Sequence, residues 1–280
     1  MTSMAKGKFK PVFLAIIPAA ALWLFICLAP FYFMLTTSLK SLGDYSTAGF
    51  FKFPKALIFN NYLKVLSGEF YRYFLNSIFV VAISLFILLV ISSFAAYPFS
   101  RFHFKLNKPL FFFVVACMAL PIHVTLIPIY LLTKNIGIYD NIFALIGPYI
   151  AFNLPISVFI LTGFMRGIPL ELEEAAEIDG CGKFRTFFSI MLPMAKSGVA
   201  TVAIFDSITM WNEFSFVLVL TQSVKSRTLP LSIWDYQGQY TSNVPMILTV
   251  LVLSVIPMII AFIIGQDKLI KGMIAGAIKG

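Results

Sequence analysis

Pro169-Leu-Glu-Leu-Glu-Glu-Ala-Ala-Glu-Ile-Asp-Gly180, continuing to Ile190-Met-Leu-Pro193, is a polar island in an apolar chain, and it holds five of the 12 acidic residues. Pro169 suits a first helical position, and Glu171, Glu173 and Glu174 suit the positive end of a helix dipole. Gly180 suits the residue that ends a helix in a left-handed turn. A short, sharply bounded helix is therefore predicted here. Leu172, Ala175, Ala176 and Asp179 fall on one of its faces, and two alanines let another backbone approach closely. That face reads as a docking surface.

The rest of the sequence describes a membrane protein. Hydrophobic residues make up 60% of the 280 and charged residues only 12%, a composition outside the range of soluble domains. The net charge of +9 does not point to nucleic acid, because the basic residues flank apolar runs and form no patch interleaved with aromatics. Cys27, Cys117 and Cys181 lack metal-ligand spacing and predict neither a disulfide framework nor a zinc site. Lys6, Lys8 and Lys10 precede an apolar run about twice as long as a signal-peptide core, which reads as an uncleaved signal-anchor.

A span needs roughly 20 mostly apolar residues. Runs of that kind lie at 11 to 38, 73 to 96, 109 to 133, 141 to 163, 198 to 221 and 244 to 265, so the fold expected is an all-α integral membrane protein of six transmembrane helices. With six crossings, both termini share a side with the loops 97 to 108 and 164 to 197. Of the 21 Lys and Arg, 13 fall on that side and eight on the other. The excess of positive charge places both termini and the acidic helix in the cytoplasm. Pro121 and Pro128 in the third span, and Pro148 and Pro155 in the fourth, free backbone carbonyls, which predicts helices broken or bent around a pathway.

Glu174-Ala175-Ala176, three residues, Gly180, nine residues, then Ile190-x-Leu192-Pro193 resembles the complete "EAA" loop in the membrane subunits of binding-protein-dependent ABC importers. Phe74-Leu-Asn76-Ser77 resembles the start of that family's transporter core, and the run from Leu120 to Leu132, Trp211-Asn-Glu-Phe214 and the glycine-containing ending resemble its carbohydrate permeases, the second membrane subunit of the maltose and multiple-sugar kind. The resemblance implies the type I importer fold, with residues 73–265 as the core, 1–72 as an amino-terminal segment and 266–280 as a tail. It also implies a permease subunit, not an enzyme, located in the bacterial or archaeal inner membrane. Glu174, Ala175, Ala176, Asp179, Gly180, Ile190, Leu192 and Pro193 are then the coupling residues. The implied partners are a second permease subunit, two ATPase subunits that bind ATP and Mg, an extracytoplasmic solute-binding protein and the lipid bilayer.

Polar residues inside the spans are candidates for the pathway. Asp206 and Glu213 fall in the fifth span, where a carboxylate costs roughly 2.5 to 3.5 kcal/mol at the bilayer centre and so faces protein or water. With Asn212 they fit either hydrogen bonding to a hydroxyl-rich solute or polar bonding between helices. His123 fits either a route-lining role or a bond to a carbonyl freed by proline. Trp234, Tyr236, Gln237 and Tyr240 fit the headgroup belt or a contact with the solute-binding protein. No phosphate-cradling G-x-x-x-x-G-K-[ST] loop occurs, so the energy source lies in another chain. Glycerol-3-phosphate is the alternative cargo within this family, and a secondary transporter using Asp206 and Glu213 is the alternative outside it.

Overall fold

The computed structural model describes residues 12–47, 49, 51–238 and 242–277, with the backbone alone for 12–15 and 267–277. Lys6, Lys8, Lys10 and Tyr240 lie outside the described residues. The helices, in chain order, are α1 (Val12–Ser38), α2 (Leu42–Thr47), α3 (Asn60–Ser67), α4 (Phe70–Arg101), α5 (Asn107–Ala116) and α6 (Ile122–Asn135). They continue with α7 (Ile146–Arg166), α8 (Glu171–Ile178), α9 (Lys183–Thr186), α10 (Leu192–Met194), α11 (Lys196–Trp211), α12 (Ser215–Leu220) and α13 (Val244–Ala277). Among the described residues the only β pairing is an isolated bridge between Gln237 and Ser242.

Four helices are long and apolar enough to cross a membrane, and two further helix pairs qualify together although each is sharply bent. Counting each bent pair as one span gives the six expected. The third span is broken, as expected from Pro121: 107–119 and 122–135 meet at 95°. Pro121 disfavours helical geometry in the residue before it, and Leu120 is accordingly extended at φ −73°, ψ 118°. The fifth span, predicted as 198 to 221, instead pairs Lys183–Met194 with Lys196–Trp211 at 70°. Downstream, α11 stops at Trp211 and α12 starts at Ser215 after three intervening residues. The fourth span, predicted to bend, runs as one helix from Ile146 to Arg166 with Pro155 inside it. Pro148 sits in the first turn, where its missing N–H breaks no hydrogen bond.

The chain divides into two compact units. The first comprises residues 1–67 and 235–253. Asn61 organises it, donating from Nδ2 to the carbonyls of Ser38 (2.8 Å) and Lys40 (2.9 Å) where α1 ends. Ser38 and Tyr62 share a hydroxyl hydrogen bond of 2.7 Å, and Thr249 Oγ1 donates to Ser38 O at 3.2 Å. The carbonyls left open at the end of α1 thus find side-chain donors.

The second unit comprises 68–234 and 254–280. Its axis is the pair α4 and α7, with α11 packed on both. One buried cluster joins Val80, Leu88, Leu145, Tyr149, Phe216 and Leu220. Another joins Ala96, Tyr97, Leu161, Met165, Phe187, Met191 and Val202 beneath the acidic helix. Lipid tails are as apolar as leucine, so close contact rather than water exclusion holds such helices together. Gly198 shows how close: α11 and α7 meet where it has no side chain.

Candidate functional site

Three glutamates, Glu171, Glu173 and Glu174, occupy the first turn of α8, and no side chain caps its amino end. Negative charge there compensates the exposed N–H groups. The helix begins at Glu171, so Pro169 stands two residues outside it instead of at its first position. At the other end Gly180 adopts φ +77°, as expected of the terminating glycine. Cys181 N donates to Ala176 O at 2.8 Å and Gly180 N to Glu177 O at 3.0 Å. This is the Schellman pairing, which satisfies the last carbonyls only when one residue turns left-handed.

Viewed down its axis, α8 has two faces. Leu172, Glu174, Ala175, Ile178 and Asp179 are exposed, but Ala176, expected on the docking face with them, is instead buried with Glu173 against the chain's own helices, since it stands three residues after Glu173 on the inward side. Ile178 is 86% exposed, which leaves a large apolar side chain almost uncovered by this chain. Downstream, Ile190 and Leu192 are half-buried and Pro193 is exposed at the start of α10. Phe187–Met191, which contains Ile190 and joins α9 to α10, is a π-helical turn. Lys183 pairs with Glu177 on the surface, both about half exposed, an arrangement that adds little to stability.

Glu173 is a site residue that the motif does not single out. Its carboxylate forms an ion pair with Arg101, the last residue of α4, with side chains only 8% and 7% exposed. Tyr97, one turn earlier on α4, donates its hydroxyl to Glu173 Oε2 at 3.2 Å. Arg101 Nη2 donates to Ile168 O at 2.6 Å in the link between α7 and α8. Nearby, Arg166 Nη2 donates to Phe99 O at 3.2 Å and its guanidinium lies 5.0 Å from the Phe111 ring. The helical period groups Glu173 with Ala176 and Ala175 with Asp179, but it does not say which of the two faces turns inward.

The polar residues of the spans do not form one cluster. Asp206 is fully buried in α11, with Oδ2 2.6 Å from Ser157 Oγ on α7, and Ser157 Oγ is 2.8 Å from Asn153 O. Glu213 stands in the break after α11, where both carboxylate oxygens accept the Phe216 N–H, at 3.0 and 3.1 Å, and cap α12. Asn212 donates to Ile208 O at 2.8 Å and is exposed. Trp211 is buried edge-on to Phe74, and its indole N–H donates to Ser254 O at 3.2 Å. His123 is exposed in the first turn of α6, within electrostatic range of Glu213. Thus His123, Asn212 and Glu213 lie where bent helices restart, and Asp206 lies apart from them.

On the opposite loops, Asp140 holds a structure that no motif announced. It adopts φ +56° and accepts hydrogen bonds at Oδ1 from Gln222 N (2.7 Å), Ser223 N (2.8 Å), Ser223 Oγ (3.1 Å) and the Ser226 hydroxyl. Partial burial alone would raise its pKa, but these bonds, Ser226 first, hold it below the ordinary carboxylate value. Asn76 Nδ2 donates to the carbonyls of Lys225 (2.9 Å) and Arg227 (2.7 Å), and Ser77 Oγ accepts from Leu229 N at 2.8 Å. Residues 221–229 are therefore tied down. Beyond them Trp234 and Gln237 are exposed and Tyr236 is half-buried. Burial, with the Asp235 carboxylate beside it, pushes the Tyr236 hydroxyl up.

Among the described residues no group of three or more His, Cys, Asp or Glu is placed to hold a metal ion. The model of the family described as "Binding-protein-dependent transport system inner membrane component" matches residues 88–274. A putative ABC transporter permease protein, ORF2, of Caldicellulosiruptor sp. (strain Rt8B.4) is 53% identical over 260 residues, covering 93% of this chain and 94% of that one. The melibiose/raffinose/stachyose import permease protein MelC of Bacillus subtilis (strain 168) is 33% identical, covering 90% and 91%. Among solved structures, a chain of a bacterial ABC transporter involved in import of the acidic polysaccharide alginate superposes with a TM-score of 0.78 at 21% identity, covering 95% of this chain and 99% of that one. That likeness establishes the fold. A matched family model over most of the chain, a type I permease fold and several apolar spans make this a multi-pass inner-membrane permease, not an enzyme, and the chain belongs to the binding-protein-dependent transport system inner membrane component family.

Proposed function

We propose that this permease forms half of the translocation pathway of an ATP-driven carbohydrate importer and takes its drive from a separate ATPase through residues 169–193. The observation that carries the reading is the division of α8 into an anchored face and an open one. An exposed face of Leu172, Ala175, Ile178 and Asp179, with Glu174 beside it, offers a second protein a small-residue contact, an apolar anchor and acidic groups. Glu174 then serves as the polar anchor, Ala175 as the close-packing residue of the exposed face, and Gly180 as the turn, while Ala176 packs inward. Two ATPase subunits bind ATP and Mg; a second, non-identical permease subunit completes the pathway. A solute-binding protein docks on the opposite side, where Trp234, Tyr236, Gln237 and Tyr240 are the contacts.

Carbohydrate as cargo is supported by the sugars in the names of relatives matched along nearly their whole length, the import permease for melibiose, raffinose and stachyose among them. Both termini and the 164–197 loop are cytoplasmic, residues 73–265 form the core, and 266–280 is the tail that meets the ATPase pair. His123, Asn212 and Glu213 line the pathway; Asp206 bonds helices together. ATP binding draws the ATPase subunits together and shifts α8, and the helices tied to it swing from inward-open to outward-open. Each state must differ in its contacts with partner or solute, because a ligand shifts an equilibrium only by its differential affinity.

The test is crosslinking from Ile178→Cys in inside-out vesicles with Cys27, Cys117 and Cys181 replaced, joined to uptake of labelled raffinose and maltotriose. The expected result is a crosslink to a nucleotide-hydrolysing subunit and ATP-dependent uptake. A label that reaches position 178 only from outside the cell overturns the reading.

A further inference from the structure

The covalent routes from α8 into the membrane helices are both jointed. Upstream, Gly167–Leu170 is a non-helical turn between α7 and α8. Downstream, the chain passes through a π-helical turn and then a 70° bend. Turns and bends of this kind absorb displacement, so a push on α8 dissipates in them unless a stiffer contact bypasses them. One contact does so. Of the acidic residues in α8 only Glu173 is buried, and its partner is the last residue of α4, a helix that runs unbroken for 32 residues.

The physical character of that contact differs from every other ion pair among the described residues. The pairs Lys183–Glu177 and Arg72–Glu69 have side chains about half exposed, so water replaces either partner at small cost. Arg101 and Glu173 are below a tenth exposed, and separating them strands two charges away from water. The guanidinium is further fixed by Ile168 O, and the carboxylate by the Tyr97 hydroxyl. Phe187, which opens the π-helical turn, lies against Tyr97 at 5.4 Å and Phe94 at 4.9 Å between ring centres. Both jointed limbs thus flank the end of α4.

We infer that Arg101 and Glu173, steadied by Tyr97, are positioning residues that lock α8 to α4 throughout the transport cycle, so that displacement of α8 enters the core along α4 and from there α7. The inference rests on the reading of α8 as the ATPase-docking helix and adds which helix receives the movement.

The experiment uses the complete complex in proteoliposomes, with native cysteines replaced and spin labels at Glu171→Cys on α8 and Phe102→Cys at the end of α4, both exposed positions. The distance between labels is measured before and after Mg-ATP with vanadate, together with retention of the ATPase. With Glu173 intact, the distance stays fixed while the ATPase is retained. With Glu173→Gln, the ATPase is still retained, but nucleotide shifts the distance by about 2 Å or more, the scale of helix displacements in switching proteins. Arg101→Lys supplies a second, milder variant if Glu173→Gln does not accumulate. A distance that changes in the unmutated pair, or that stays fixed in both variants, overturns the proposal. Failure of the unmutated complex to retain an ATPase overturns the docking reading itself, and this proposal with it.

Discussion

Gly198 on α11 lies so close to Phe164 on α7 that a methyl group built on it comes 2.6 Å from the ring's Cγ and 2.9 Å from its Cβ. The obstruction is the root of the phenylalanine, not a flexible tip, so the ring cannot turn aside. Gly198→Ala is expected to force the helices apart and to destabilise the protein by about 1 to 3 kcal/mol, the usual range for overpacking. Thermal unfolding in detergent would show the loss, and Phe164→Ala in the same chain would restore part of it. An unchanged midpoint for Gly198→Ala would mean that the two helices do not approach as described.

Gly180 tests the helix end separately. A methyl group added there would meet nothing within 4 Å, so at φ +77° the constraint is backbone conformation and not space. Asparagine tolerates the left-handed region and a β-branched residue does not. Gly180→Asn should therefore remain close to the native protein in ATP-driven uptake. Gly180→Val should insert normally but lose coupling, seen as ATP hydrolysis without transport. Equal effects from both would point to a steric role at the docking face instead.

Asp206 separates polar bonding between helices from carriage of an ion. Its carboxyl meets Ser157 across α11 and α7 and is shut off from solvent. Asp206→Asn keeps a group of the same shape able to bond with Ser157, and is expected to leave the amount of protein and the rate of uptake within about twofold. Asp206→Leu removes the bond but leaves the Ser157 hydroxyl its contact with Asn153 O, so the expected cost is about 0.5 to 1.5 kcal/mol, the net worth of one hydrogen bond. Abolition of transport by Asp206→Asn in fully folded protein would favour an ion-coupled carrier.

Asp140 gives a pH dependence with a definite sign. Its folded value lies below the ordinary 3.8, so its stabilising effect is complete above that value and fades as the pH falls through the lowered one. Asp140→Asn preserves the left-handed backbone and removes the charge. It should cost about 1 kcal/mol at neutral pH, modest because the group is only half-buried. The difference from the native protein should shrink when unfolding is followed from pH 5 to pH 3, and a difference that grew in that interval would contradict the assignment.

Much of this architecture could be read from the sequence, and the failures have a common cause. Apolar runs located every span but the fifth, and Gly180 ended its helix as its lack of a side chain suggested. The acidic helix offered several glutamates, and the motif gave prominence to Glu174. Which carboxylate turns inward depends on where Arg101 stands in space, 72 positions earlier, and no local pattern records that. The same holds for Asp140, whose partners begin at Gln222. Proline at 121 announced an interruption but not its 95° angle, and the end of α11 at Trp211 was hidden because the apolar run continues past it. The capping role of Glu213 looked from the sequence like a carboxylate in mid-membrane.

The right-angled break at Pro121 bears on how the protein is made. The segments 107–119 and 122–135 are each about 20 Å long at helical rise, short of the roughly 30 Å hydrocarbon thickness. Neither half is a competent stop-transfer sequence by itself. Because α5 packs against α7 as well as α4, and α7 is synthesised later, the two half-helices leave the ribosome before their groove exists. Although α1 and α4 already anchor it, a nascent chain cut just after Asn135 should therefore leave 107–135 open to a soluble thiol reagent at Cys117, with Cys27 replaced, and protect it only once residues through Arg166 have emerged.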